Sequence, residues 1–204
     1  MAIAEKLTTI AENTPRVYEA GKSDEHKAFW DEYTLNGNRG NYRYAFAGYG
    51  WTDANFKPPE TIFPQDARYM FQNSSIAHID ETQVDFTNTT DMRDSFNGCV
   101  SLEGLRLKIS GNKTFSANTF IGCEALTDVI IIGTIQSANF NLQSSTALTK
   151  ASITSVINAL SSTTSGLTVT ISKTAVNNAF SGGSTSQEWL DLIATKPKWT
   201  ISLM

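Results

Sequence analysis

Two stretches of this chain are copies of one another. Residues 95–109 read SFNGCVSLEGLRLKI and residues 119–133 read TFIGCEALTDVIIIG. Phe96 aligns with Phe120, 24 residues on (120 − 96), and the same offset pairs Gly98 with Gly122, Cys99 with Cys123 and Leu102 with Leu126. It also pairs Leu105 with Val129 and Leu107 with Ile131. The shared pattern is F-x-G-C-x-x-L-x-x-[LV]-x-[LI]. Weaker copies flank it: Phe71, Ile76 and Ile79 upstream, with a one-residue slip, and Leu142, Leu148 and Ile153 downstream. A period of this size marks an array of stacked units, because one unit cannot bury its own apolar face. Leu105 and Leu107 alternate, so they point to one face of a short strand. Strands stacked about 4.8 Å apart would lay Phe96 over Phe120 and Leu107 over Ile131. The expected fold is an α+β repeat, a short solenoid.

Cys99 and Cys123 fall at equivalent places in the two copies. They read either as a disulfide or redox pair, or as two buried thiols in the small-residue slot of the repeat, and packing is the favoured reading.

The repeated F-x-G-C-x-x-L-x-x-[LV] pattern resembles the BspA-type leucine-rich repeat of bacterial surface proteins and phage-borne genes. The resemblance covers residues 67–150. It implies a leucine-rich-repeat solenoid whose core holds Phe71, Phe96, Cys99, Leu102, Leu105, Leu107, Phe120, Cys123, Leu126, Val129 and Ile131. It also implies adhesion or protein recognition rather than catalysis. The repeats are few, so the surface they display is small.

A solenoid needs caps. Residues 151–204 read as a C-terminal strand–helix cap that also resembles the terminal segment of the same phage-borne proteins. Leu148, Ile153, Val156, Ile157 and Leu160 form a helical stripe, with Thr149 or Ser152 as its N-cap. Residues 167–172 alternate as a strand, and residues 174–180 suit a short helix. A loop, SGGSTS, follows. Ser186 opens a helix that turns Trp189, Leu190 and Ile193 inward, Pro197 stops it, and KWTISL ends the chain as a strand.

Residues 1–35 differ in kind. Ile3, Leu7 and Ile10 make one narrow stripe, compatible with an oligomerisation seam and a homotrimer. A helix that short is marginal alone, so it must dock or self-associate. A second helix is expected over residues 23–33, with Phe29, Trp30 and Tyr33 on its apolar face. This segment is similar to the start of many phage and prophage proteins from Firmicutes, where it precedes variable C-terminal domains. The similarity implies attachment to other virion proteins; a helical cap on the solenoid is compatible with it.

Residues 36–66 form an aromatic-rich N-terminal cap. Tyr42, Tyr44 and Phe46 alternate as if on one strand face. With Tyr49, Trp51 and Arg43 they offer a surface for stacking on a sugar or a base. The alternative, which is favoured, is that these rings seal the end of the solenoid. Pro58, Pro59 and Pro64 mark a loop before the repeats.

The 204 residues carry a net charge of −4 and no basic footprint, which argues against a nucleic-acid partner. No stretch is long and apolar enough for a membrane span, and residues 1–10 do not read as a secretory signal. Two Cys and two His give no metal-ligand spacing, and no phosphate-binding loop is present. His26 is expected on a polar helix face and His78 in a degenerate repeat, exposed or at the core edge. Asp80, Glu81 and Asp85 cluster, as do Asp91 and Asp94, on what read as solvated loops; a bound cation or a glycan-cleaving pair is the alternative reading. No cofactor is expected.

The expected function is a non-enzymatic phage virion structural protein: a tail fibre, baseplate or other appendage displaying a repeat surface to a host-surface protein or glycan. The alternatives are a bacterial cell-surface adhesin and a capsid decoration protein. Of these, the adhesin needs an export signal that the sequence lacks.

Overall fold

The computed structural model describes residues 42–58 and 60–204. The helices expected in residues 1–35, and with them Ile3, Leu7, Ile10 and His26, lie outside the described residues.

The elements run in the order β1 (His78–Ile79), β2 (Gly104–Ile109), β3 (Asp128–Gly133), β4 (Phe140–Leu142), α1 (Lys150–Ala159), β5 (Leu167–Ile171), α2 (Lys173–Ala179), a 3-10 turn (Gly183–Thr185), α3 (Gln187–Ala194) and β6 (Trp199–Leu203). They build a small α/β protein with two separate three-stranded parallel sheets, ordered β1-β2-β3 and β4-β5-β6. The expected α+β leucine-rich-repeat solenoid is therefore corrected, because the strands do not close into one. The break falls after β3, and α1 makes it. The hydroxyls of Ser152 and Ser155 on α1 accept hydrogen bonds from the backbone N–H groups of Val129 and Ile131, both at 2.9 Å. A helix thus caps the free edge of β3 where a further strand would have paired, and the second sheet begins afresh.

The internal similarity nonetheless has a local structural consequence. Ahead of the strands, the chain runs through consecutive β-turns, and the turns of successive copies lie on one another. Phe46 N–H donates to Met70 O, Phe71 N–H to Ser95 O and Gly98 N–H to Ile121 O, each at 2.8 Å. Phe71, Phe96 and Phe120 stack at centroid separations of 5.6 and 5.4 Å, with interplanar angles of 7° and 6°. Phe46 extends the row at one end and Phe140 at the other. The turns require left-handed backbone, which Gly98 supplies at φ +73° and Gly122 at φ +78°.

Leu105 pairs in register with Val129, and Leu107 with Ile131. Phe71, Phe96, Cys99, Leu102, Leu105, Leu107, Phe120, Cys123, Leu126 and Val129 are all buried. Ile131 is only half-buried, at the strand edge that α1 covers.

In the C-terminal part, Thr149 caps α1 by accepting from Ser152 N–H, and Ser186 caps α3 by accepting from Trp189 N–H. Lys196 reaches back from the end of α3 and donates to the carbonyls of Asn158 and Leu160, at 2.8 and 2.6 Å, satisfying the C-terminal end of α1. Trp189 is buried as the stripe requires, but Leu190 is not turned inward; it is 44% exposed. The SGGSTS loop contains the 3-10 turn.

Cys99 and Cys123 are free and buried. Each thiol donates to a carbonyl one turn back, Cys99 to Phe71 O and Cys123 to Phe96 O. Ser74 and Ser145 make the same kind of bond, to Trp51 O and Cys123 O. The slot therefore selects a small donor. Burial pushes the Cys123 thiol up to about 12 and Cys99 well above its ordinary value. Both thiols should be inert to a disulfide-exchange reagent in the native protein and react only on unfolding. Cys99→Ser should keep the bond and cost less than Cys99→Val, which removes one of the two hydrogen bonds to the Phe71 carbonyl and leaves that from Ser74 N–H, a loss of about 0.5–1.5 kcal/mol. Equal urea midpoints for the two variants would contradict this reading.

Candidate functional site

With Leu105, Leu107 and Val129 turned into the core, the intervening residues face solvent. This outer face is charged and ordered. Arg106 on β2 forks across Glu81, with Nε 2.7 Å and Nη2 2.8 Å from the two carboxylate oxygens. Lys108, two residues along the same face, pairs with Asp85 at 2.7 Å. On β3 the corresponding residues are Ile130 and Ile132, which are in register with Arg106 and Lys108. Ile130 is 42% exposed.

At the start of the strands the face deepens into a groove of about 320 Å³, lined among others by His78, Glu103, Gly104, Arg106, Asp128 and Ile130. His78 Nδ1 lies 2.8 Å from Asp53 Oδ2, while His78 Nε2 is 4.0 Å from Glu103. Gly104 permits this arrangement, since a Cβ there would stand 3.0 Å from the His78 ring.

The carboxylates of the two expected loop clusters each have partners of their own. Arg106 holds the Glu81 carboxyl down to about 2, with a backbone hydrogen bond helping. Asp85 is buried rather than solvated. Burial would raise its pKa, but the hydrogen bonds from Lys108 and Thr87 outweigh it and the net shift is downward. Asp91 behaves alike: burial is outweighed by Arg93, with Arg68 adding to the effect. Asp80 accepts from Thr82 and from Gln83 N–H, and Asp94 accepts from Ser116 and Asn97. A glycan-cleaving acid requires a carboxyl held protonated near neutral pH. The shifts of Glu81, Asp85 and Asp91 run the other way. Among the described residues no group of three or more His, Cys, Asp or Glu could hold a metal ion, and no helix is long and apolar enough to cross a membrane.

The aromatic residues proposed for ligand stacking do not form one surface. Tyr42 and Trp51 are fully buried, packed into the core around Phe46, which removes them as ligand residues. The strand expected over Tyr42, Tyr44 and Phe46 is corrected to turns, with Tyr44 at φ +59°. Tyr44 stacks on Tyr69 at 4.5 Å, with the Arg43 guanidinium 5.5 Å from its ring centre. Tyr49 stands 61% exposed. Sequence reasoning missed Glu103, Gly104, Asp128 and Ile130. The signal available was the set of outward positions between the repeat's core residues.

The Glu81–Arg106 pair has a pH consequence. Its folded-state pKa is depressed from 4.5 to about 2, so its contribution to stability is fully present above 4.5 and is lost as pH falls toward 2. Arg106→Gln should flatten the stability–pH curve in that window. An unchanged slope would contradict it.

No family model, curated protein or solved structure matches this chain.

Proposed function

We propose that this chain is a non-enzymatic structural component of a phage particle, in a tail fibre, baseplate or other appendage, and that it displays the outer face of its first sheet to a host-surface protein or glycan. The reading rests first on that face: a charged, ion-paired β surface with a half-exposed isoleucine, carried on a well-packed core. The downward shifts of the loop carboxylates support a surface that binds rather than one that cleaves. The N-terminal segment's similarity to phage proteins supports the location, and attachment through residues 1–35, as a homotrimer, completes the proposal. Labelled protein added to a panel of Firmicutes cells should bind saturably and release no soluble sugar from purified cell-wall polysaccharide. Turnover of the polysaccharide would overturn the non-enzymatic reading.

A further inference from the structure

The groove at the start of β1, β2 and β3 has a charge imbalance that its own residues do not settle. Glu103 and Asp128 project from adjacent rungs, since Gly104 and Asp128 are register partners. Among the described residues, only His78, at 4.0 Å, stands within ion-pair distance of Glu103. Among the described residues, Asp128 meets only the hydroxyls of Thr127 and Thr149, at 3.3 and 3.5 Å. Asp80 also lines the groove, and Asp53 holds the far side of His78. Among the described residues, the one permanent cation lining it, Arg106, already has both carboxylate oxygens of Glu81. Acids outside the groove are answered, Asp85 by Lys108 on β2 and Asp91 by Arg93. The groove is therefore an anionic recess on a sheet face that is otherwise neutralised. Its wall is apolar at Ile130, and at Gly104 the His78 ring lies over the backbone.

Charge complementarity defines the occupant. From this juxtaposition we infer that the groove binds a short extended peptide segment of a protein partner, one that presents a Lys or Arg beside an aliphatic side chain. The cationic head enters between Glu103 and Asp128, where charge-assisted hydrogen bonds to carboxylate are strong. The methylene stem lies along Ile130, as long cationic side chains do over apolar surface. A neutral sugar hydrogen-bonds carboxylates but leaves their charge uncompensated. The inference rests on the proposed display function and names the partner class for that face.

Fluorescence polarisation with the full chain tests it. The probes are labelled peptides GLKLKLG, GLELELG and GSKSKSG. GLKLKLG should bind best: the Glu-containing peptide should fail, and the Ser-containing one should be weaker. Glu103→Gln combined with Asp128→Asn should weaken GLKLKLG by tenfold or more, about the effect of losing one charge-assisted pair. Ile130→Ser should weaken it without altering the preference for Lys over Glu. Glu60→Gln with Glu124→Gln removes the same charge from exposed positions that do not line the groove, and should leave binding within twofold. Both double variants should keep the wild-type urea midpoint, since none of these four carboxylates is buried. Equal weakening by the two double variants would reduce the effect to net charge and overturn the assignment. So would no binding of GLKLKLG, or equal binding of GLELELG. Failure here with intact binding to cells overturns only the groove assignment. Loss of cell binding with peptide binding retained overturns the display function instead.

Discussion

Phe96→Ala should lower the unfolding free energy by about 3–5 kcal/mol, the range for emptying a buried phenylalanine site. Phe96 is fully buried. It stacks between Phe71 and Phe120 at 5.6 and 5.4 Å and meets Phe86 edge-on at 6.0 Å. The cavity cannot readily collapse, because the turns on either side are fixed by backbone hydrogen bonds, Phe71 N–H to Ser95 O and Phe96 N–H to Thr119 O. Rings in an interior row also lose aromatic contact on two sides at once, which adds to the area lost. Urea denaturation compared with Val100→Ala supplies the control. Val100 is 50% exposed, and its truncation should stay within about 0.5 kcal/mol. A loss for Phe96→Ala no greater than that for Val100→Ala would mean that the row does not carry the core.

Gly133→Ala should be nearly as damaging, by a different route. Gly133 ends β3 at φ +121°, a backbone conformation that L-residues rarely adopt. A Cβ there would stand 1.9 Å from the carbonyl oxygen of Ile109 and 3.1 Å from its carbon. Both atoms are backbone, and Ile109 is the register partner of Gly133, so relief requires β2 and β3 to part at that end. The expected loss is about 3 kcal/mol or more, strain and lost pairing together. Gly111→Ala isolates the conformational part: φ is +68°, and nothing lies within 4 Å of the added Cβ. It should cost about 1–2 kcal/mol. If the two variants unfold at the same urea concentration, close approach at Gly133 is not what holds that strand end.

The two halves of the molecule differed in how far their residues could be read. The aligned copies led to the phenylalanine row, the buried thiols and the pairing of Leu107 with Ile131, because burial imposes a period on the sequence. They did not lead to the end of the sheet. That depends on Ser152 and Ser155, whose hydroxyls meet the edge of β3; two serines beside an apolar helical stripe carry no such message in sequence. Upstream, the alternation of Tyr42, Tyr44 and Phe46 looked like a strand. The backbone takes left-handed turns there, at Tyr44 and again at Tyr69, and a tyrosine at positive φ has no sequence signature of its own. The candidate site was the least legible part. Packing leaves outward positions free, so Glu103, Asp128 and Ile130 acquire meaning only when the register of β1, β2 and β3 places them around one groove.

The central claim is that this chain belongs to a phage particle and displays a surface there. The most direct test is quantitative mass spectrometry of density-gradient-purified particles from a strain that produces the chain. The account predicts that its peptides co-purify with the particle peak at a constant ratio to a known structural protein and survive a high-salt wash. Recovery of the chain only in the cell-surface fraction, or only as a monodisperse monomer in the particle-free supernatant, would contradict it.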